Sequence, residues 1–218
     1  MKPLEQCQLY TFVDTAYLQG RDPVDVARQL CAGGADLIQL RAKDAGPDEV
    51  RRLAEALLPV TTAAGVWLVI NDYPKIALQV GAPACHMGQE DFFGQGYRWA
   101  TQVTGCPRQM RLGLSTHAPE QAQRAIRAEP DYVSVGPVFA TPTKPGRAAV
   151  GLEYVRWAAA HVPVPWFAIG GIDLSNLEQV LEAGARRVAV VRAILTAPDV
   201  AAACAAFRAR LASAAPKS

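Results

Sequence analysis

Four short apolar runs in this chain end in polar or glycine-rich clusters: Leu37-Ile-Gln-Leu-Arg-Ala-Lys43, Trp67-Leu-Val-Ile-Asn-Asp72, Tyr132-Val-Ser-Val-Gly136 and Trp166-Phe-Ala-Ile-Gly-Gly171. Short continuous apolar runs are typical of strands in a parallel sheet that is covered on both faces. Because the polar or glycine-rich cluster follows the carboxyl end of each of the four runs, the pattern indicates an α/β barrel with one active-site face.

The rest of the chain alternates between further short apolar runs and stretches of helical period. Strands are predicted at Leu9–Val13, Asp36–Leu40, Val66–Ile70, Ala84–His86, Arg111–Leu114, Tyr132–Val135, Trp166–Ile169 and Arg187–Val191. Helices are predicted at Pro23–Ala32, from Pro47 onward, and at Pro74–Val80, 97–104, Pro119–Ala128, Gly151–Ala160, Leu174–Ala183 and 199–213. Residues 136–150 are predicted to form a long binding loop or lid. A doubly wound open sheet is the main competitor, but no G-x-G-x-x-G follows the first strand. We therefore predict one (β/α)8 TIM barrel domain over residues 1–218.

Composition and charge limit the partners and the location expected for the protein. The chain has 218 residues and a formal net charge of +2, without a long basic block, so we expect no nucleic-acid partner. No run approaches the length of a membrane span, and the first residues lack an apolar signal-like core. The five cysteines follow no disulfide or zinc spacing, which favours a reducing cytoplasm. A homo-oligomer is compatible with this composition.

Three polar residues alternate at the end of the second predicted strand. Gln39, Arg41 and Lys43 therefore project to one side, which in a barrel is the axis. A guanidinium and an ammonium so close together favour a bound anion, and phosphate suits both. The alternative is a salt bridge at the barrel mouth to Asp72 or Asp14.

Two carboxylates follow neighbouring strands. Asp72 ends the third predicted strand and Asp91 follows the fourth. Magnesium commonly takes one or two carboxylates together with substrate phosphates and water. Taken singly, both residues could instead be helix caps; beside the basic trio, they predict a Mg²⁺ site.

A second anion site is predicted on the opposite strands. It would combine Gly170-Gly-Ile172 and Val191-Arg-Ala193, where barrels often bind phosphate through backbone N–H groups. The hydroxyls and the lysine of Thr141-Pro-Thr-Lys144 could serve an anion or a polar ligand. The Thr141–Lys144 stretch could equally be an ordinary exposed turn. Ser115 and His117 end the fifth strand, and we favour Ser115 as a hydrogen-bond donor over a Ser–His nucleophile pair. Two anion sites on one face imply two phosphorylated substrates.

Taken in order, seven motifs resemble those of the thiamine phosphate synthase family. They are QLRAK at 39–43, IND at 70–72, HMGQED at 86–91, GLSTH at 113–117, GPVFATPTK at 136–144, AIGGI at 168–172 and VAVVRAI at 188–194. The resemblance runs from about Leu9 to Ile194.

The resemblance implies a Mg²⁺-dependent barrel enzyme that joins a hydroxymethylpyrimidine diphosphate to a thiazole phosphate. The products would be thiamine phosphate and diphosphate, with CO₂ when the thiazole is carboxylated. Carried over to this sequence, the pyrimidine diphosphate would be held by Gln39, Leu40, Arg41, Ala42, Lys43, Asn71, Ser115 and Lys144. Of these, Arg41, Lys43, Ser115 and Lys144 would be catalytic. Asp72 and Asp91 would bind Mg²⁺. The thiazole phosphate would be held by Thr141, Pro142, Thr143, Gly171, Val191 and Arg192.

Two positions depart from the family pattern. Tyr73 stands where many relatives have arginine, and Arg192 stands where a small hydroxyl residue is frequent. Two other functions compete on the same fold. One is a thiazole tautomerase that would use His117 as its acid and base, and the other is a non-catalytic phosphate-ligand sensor. The basic trio, Asp91 and Lys144 argue against both, because neither function needs a diphosphate or a metal.

Overall fold

The computed structural model of the protein describes residues 1–141 and 148–214. Eight parallel strands pair in sequence order, and β8 pairs with β1 to close the barrel. Their bounds are β1 Leu9–Asp14, β2 Leu37–Arg41, β3 Trp67–Asn71, β4 Ala84–Gly88, β5 Arg111–Thr116, β6 Tyr132–Val135, β7 Trp166–Ile169 and β8 Val188–Ala189. The predicted (β/α)8 barrel is confirmed.

Helices surround the barrel in the described residues. They are α1 Pro23–Ala32, α2 Pro47–Ala63, α3 Pro74–Val80, α4 Gln89–Gly94, α5 Thr101–Thr104, α6 Pro119–Arg127, α7 Gly151–His161, α8 Leu177–Glu182, α9 Arg192–Leu195 and α10 Val200–Ser213. The helix predicted over 199–213 is confirmed in α10, whose buried residues are Val200, Cys204, Phe207 and Leu211. In the described part of the chain, no helix combines the length and apolar character that a membrane crossing requires.

Two helical predictions differ from the structure. The helix predicted over 97–104 is confirmed only at its end, in α5, while α4 forms earlier. Glu90 and Asp91 lie in the first turn of α4, where carboxylates stabilise a helix, and Phe92 anchors it in the core. The helix predicted from Leu174 begins three residues later, because the Asp173 carboxylate accepts hydrogen bonds from the following backbone and holds a turn there.

The segment after β6 was predicted to be a long loop without regular structure. Its described parts, 136–141 and 148–150, contain no helix or strand. Residues 142–147 lie outside the described residues. The lid role predicted for this loop stays a prediction.

Alternate residues of each strand face the barrel interior. In β2 and just beyond it, Gln39, Arg41 and Lys43 face a cavity at the carboxyl end of the barrel. Leu40 and Ala42 are buried between them and do not line this cavity. The other strands alternate in the same way, so the interior-facing residues nearest their carboxyl ends form the walls of this cavity.

Three aromatic rings fill the barrel beneath this cavity. The rings of Tyr10, Tyr132 and Phe167 meet edge to face, with centroids 5.3–6.0 Å apart. Gly113 on β5 makes room for Tyr132, because a Cβ at that position would lie 2.1 Å from the Tyr132 ring. The barrel is therefore a packed core with a floor, rather than an open channel.

We expect Gly113→Ala to destabilise the fold. The added methyl group would overlap a fully buried ring, and overpacking of this kind typically costs about 1–3 kcal/mol. Gly94→Ala in α4 is the matched control, because a Cβ there meets no atom within 4 Å. Urea unfolding of both variants measures the difference; equal stability of the two would contradict the close packing of Gly113 against Tyr132.

Candidate active site

A cavity of about 460 Å³ opens at the carboxyl ends of the strands. This volume falls within the range of small-molecule sites in proteins. One wall carries the polar residues of β2 to β5 and those just after them, and the other carries glycines and mostly short side chains after β6 to β8, together with Asp173 and Arg192. The cavity therefore has two chemically different halves.

The predicted basic trio lies together in the first half. Gln39, Arg41 and Lys43 all line the cavity, as their alternation on β2 predicts. Leu40 and Ala42, also predicted to hold the pyrimidine diphosphate, face away from the cavity. Their side chains therefore cannot touch a ligand in it, which leaves only their backbone for that role.

A buried ion pair orients Arg41. One Arg41 terminal nitrogen donates to Asp14 over 2.8 Å, and the Asp14 side chain is only 1% exposed. The two residues are direct partners in the β1–β2 ladder. This contact is one of the two salt bridges that the sequence left open as an alternative. It uses one of the five N–H groups of the guanidinium, so donors remain for an anion in the cavity.

Lys43 makes the other alternative salt bridge, to Asp72. Asn71 also donates to Asp72, over 2.7 Å, and both donors contact the same carboxylate oxygen, Oδ2. In the described part of the chain, the second oxygen, Oδ1, has no partner. Asp72 has a left-handed backbone (φ 63°), and its N–H donates to the His86 carbonyl on β4. This unusual backbone turns the carboxylate toward the cavity.

Asp91 faces the cavity from the first turn of α4. Its exposed carboxylate has no hydrogen-bond or ion-pair partner among the described residues. Gly88 leaves space for it, because a Cβ at Gly88 would lie 2.8 Å from Asp91 Oδ2. The same Cβ would lie 3.9 Å from the Ser115 hydroxyl oxygen. Both predicted carboxylates and Ser115 thus line one wall of the cavity.

The second half is built around two glycines after β7. Gly170 and Gly171 have positive φ angles of 103° and 65°, and a Cβ on either would collide with the backbone or side chain of the segment after β6. Thr141, Val191 and Arg192 line the cavity beside them. The Arg192 side chain is exposed and makes no ion pair within the described residues. The predicted residues Pro142, Thr143 and Lys144 lie outside the described residues.

Sequence reasoning missed several residues of the cavity. The residues that it missed, all of which line the cavity, are Tyr10, Phe12, His86 and Ser134. Their side chains alternate along the strands in step with those of Gln39 and Ser115, and this alternation is the signal that could have found them. His117 also lines the cavity, and its Nδ1 donates to the Gly136 carbonyl over 2.5 Å.

Formal charges in the cavity balance among the described residues. Its lining includes three cationic and three acidic side chains: Arg41, Lys43, Arg192, Asp72, Asp91 and Asp173. A free diphosphate would meet as many carboxylates as cations in such a site. A diphosphate that arrives with a divalent cation carries less negative charge, and the carboxylates then bind the cation. The charge pattern therefore suits a metal–diphosphate complex.

Comparison with known proteins agrees with this geometry. The sequence model of the thiamine monophosphate synthase family matches residues 9–194. The chain is 50% identical over 191 residues to a thiamine-phosphate synthase of Thermus thermophilus, covering 86% of this chain and 88% of the relative. It is 46% identical to that of Acidothermus cellulolyticus, covering 97% and 98%. A solved thiamine phosphate pyrophosphorylase from Pyrococcus furiosus superposes with a TM-score of 0.83 at 27% identity, covering 99% of this chain and 100% of the other. The chain therefore belongs to the thiamine monophosphate synthase family and is a transferase of thiamine biosynthesis.

Proposed function

We propose that the protein joins 4-amino-2-methyl-5-(diphosphooxymethyl)pyrimidine to 4-methyl-5-(2-phosphoethyl)thiazole, giving thiamine phosphate and diphosphate. With a carboxylated thiazole the reaction would also release CO₂. The observation that carries this proposal is one cavity with two halves, one lined by the cations and carboxylates that follow β2 to β4 and the other by two glycines after β7 together with Thr141 and Arg192. Each half suits one phosphorylated substrate.

The first half would bind the pyrimidine diphosphate. Arg41, held by Asp14, and Lys43 would contact the diphosphate, while Gln39, Asn71 and Ser115 would bind polar atoms of the same substrate. Lys43 is half exposed and its pair with Asp72 is therefore weak, so it can turn to a phosphate oxygen. Lys144 stays a predicted catalytic residue from the sequence.

Asp72 and Asp91 fit a bound magnesium ion. The Asp72 oxygen that faces neither Lys43 nor Asn71, and the unpartnered Asp91 carboxylate, are hard oxygen donors in one cavity. When bound, Mg²⁺ would supply a dication that neutralises the diphosphate and makes it a better leaving group. In the second half, Thr141, Gly171, Val191 and Arg192 would bind the thiazole phosphate. Pro142 and Thr143 stay predicted thiazole phosphate ligands from the sequence.

The chemistry needs no protein nucleophile. The methylene C–O bond breaks and its electron pair leaves with the diphosphate, where Arg41 and Lys43 stabilise the new charge. The electron-rich aminopyrimidine stabilises the cationic methylene carbon. The thiazole nitrogen then donates its lone pair to that carbon and forms the C–N bond. The protein contributes mainly the alignment of the two rings and the electrostatic stabilisation of the leaving group.

We propose two small phosphorylated heterocycles as the ligands, with no nucleic-acid partner. The cytoplasmic location stays a prediction from the sequence, and a homo-oligomer stays compatible with it.

The decisive experiment mixes both substrates with the protein, with and without Mg²⁺, and measures diphosphate release. We expect release that requires both substrates and stops when the metal is chelated. Isomerisation of the thiazole phosphate alone would favour the tautomerase, and binding without any product would favour the sensor. Running the carboxylated thiazole in parallel, with CO₂ measured, tests the decarboxylating reaction.

We expect Asp72→Asn, Asp91→Asn and Lys43→Ala each to lower turnover by roughly 100-fold or more. Lys43 would stabilise the departing diphosphate directly, and the two carboxylates would hold the Mg²⁺ that neutralises it. Matched controls are Asp48→Asn and Lys75→Ala, which make the same changes at exposed sites outside the cavity. Circular dichroism checks that all variants fold. Metal-independent turnover at the unaltered rate in the cavity variants would contradict the mechanism.

We expect Asp14→Asn to lower both stability and substrate affinity, because it leaves the Arg41 guanidinium without its buried partner. Removing one partner of a buried pair costs about 3–5 kcal/mol, and about half of that is expected here because Arg41 reaches the cavity solvent. The KM for the pyrimidine diphosphate should rise at the same time. Asp25→Asn, which breaks an exposed ion pair with Arg28, is the control and should change neither quantity. An unchanged KM for Asp14→Asn would show that Asp14 does not position Arg41.

A further inference from the structure

Four buried polar side chains form a chain of hydrogen bonds across the barrel, beneath the cavity. Gln39 Nε2 donates to the Tyr10 hydroxyl over 2.5 Å. The Tyr10 and Tyr132 hydroxyls lie 3.1 Å apart, and the Tyr132 hydroxyl lies 3.2 Å from His86 Nδ1. None of the four residues is more than 7% exposed. We call these four residues the floor relay.

The Gln39 amide, which donates to Tyr10, sets the direction in which the protons of the floor relay point. Burial raises the pKa of both Tyr10 and Tyr132, so each phenol keeps its single proton. Because Tyr10 accepts from Gln39, its own proton must go to Tyr132, which is the other partner of its hydroxyl in the described structure. Tyr132 must then donate to His86 Nδ1. With Gln39 as the first donor, any other order would bury an unpaired donor, at a cost comparable to a lost hydrogen bond.

The chain of hydrogen bonds holds the Gln39 amide in this orientation. With Nε2 committed to Tyr10, the carbonyl Oε1 is the remaining polar atom of a side chain that lines the cavity. Oε1 has no protein partner in the described residues. The floor relay therefore presents a hydrogen-bond acceptor to whatever ring binds above it. If the relay ran the other way, the same side chain would present a donor.

We propose that Tyr10, Tyr132 and His86 are positioning residues that make the site selective for a ring bearing an amino group. Gln39 Oε1 accepts a hydrogen bond from an exocyclic N–H, whereas a ring with a carbonyl at that position places two acceptors face to face. This inference rests on the proposed function, because it concerns the pyrimidine of that reaction. A site built around such a bond rejects the mismatched analogue strongly.

The test compares the aminopyrimidine diphosphate with the analogue that carries an oxo group in place of the amino group. Equilibrium binding of each ring is measured by calorimetry for the wild type, Tyr10→Phe and Tyr132→Phe. We expect the wild type to prefer the amino ring by roughly 100-fold or more. Tyr10→Phe removes the partner of the Gln39 amide, and Tyr132→Phe lets the Tyr10 hydroxyl donate to Gln39 as well as accept from it. In both variants the amide can turn over, and we expect the preference to fall by roughly tenfold.

Tyr154→Phe is the matched control. It removes another buried phenol hydroxyl, which bonds to Thr116 over 2.7 Å and lies outside the cavity. Its thermal unfolding temperature should fall as in the other two variants, but its ring preference should be that of the wild type. A merely structural role for the floor relay would lower stability in all three variants without changing the preference.

A second measurement does not depend on substrate. The chain has three histidines, so ¹⁵N-histidine labelling resolves the tautomer of each ring. We expect neutral His86 to carry its proton on Nε2, with Nδ1 as the acceptor, and this signal to change in Tyr132→Phe.

Each outcome has a distinct meaning. Equal binding of the two rings by the wild type, an unchanged preference in Tyr10→Phe and Tyr132→Phe, or a proton on His86 Nδ1 would overturn the floor relay. Absence of diphosphate release by a wild type that binds the amino ring selectively would refute the proposed function and leave the relay standing. Binding of neither ring would overturn both.

Discussion

The alternation of side chains along eight parallel strands is the constraint on which the site depends, and the pairing of β1 with β8 locks its phase. A shift of one residue in β2 would send Arg41 to the helix layer and bring Leu40 into the cavity. The ladder between β1 and β2 pairs Asp14 directly with Arg41, so the ion pair that orients the guanidinium follows from the strand register. The positions of the charged side chains therefore follow from the strand register that barrel closure fixes.

Carboxylates at the two ends of the barrel have different surroundings. Asp36, at the amino end, accepts hydrogen bonds from Lys2, Arg208 and two backbone N–H groups, and Asp131 is similarly paired with two arginines. These groups are saturated and join the strand starts to neighbouring segments. At the carboxyl end, Asp91 has no partner in the described residues, and Asp72 keeps one oxygen unpaired. Unsatisfied carboxylates in a cavity indicate a ligand, whereas saturated ones indicate stability.

Much of this architecture was predictable because strands and helices here follow strong local signals. Apolar runs bounded by Gly, Pro or Asp predicted all eight strands, and proline at the first turn marked helices such as α2 and α6. α4 was missed because its polar first turn, Gln89 to Asp91, resembles a strand-end cluster in the sequence. The charged residues of the site were predictable from their spacing. The floor relay was not, because Tyr10 and Tyr132 are apolar-looking core residues whose hydroxyls meet only after the barrel closes.

Phosphate groups and heterocyclic rings are thus recognised at different depths of the cavity. Its rim carries the formal charges, which suit phosphate groups and a cation but cannot distinguish one neutral ring from another. The floor is uncharged, and burial keeps the phenols of Tyr10 and Tyr132 protonated by raising their pKa. A neutral hydrogen bond gains discriminating power where water is excluded, because a mismatched group cannot be solvated there. The floor is therefore the better place to distinguish one ring from another. The charged rim can bind phosphate groups strongly without distinguishing between rings.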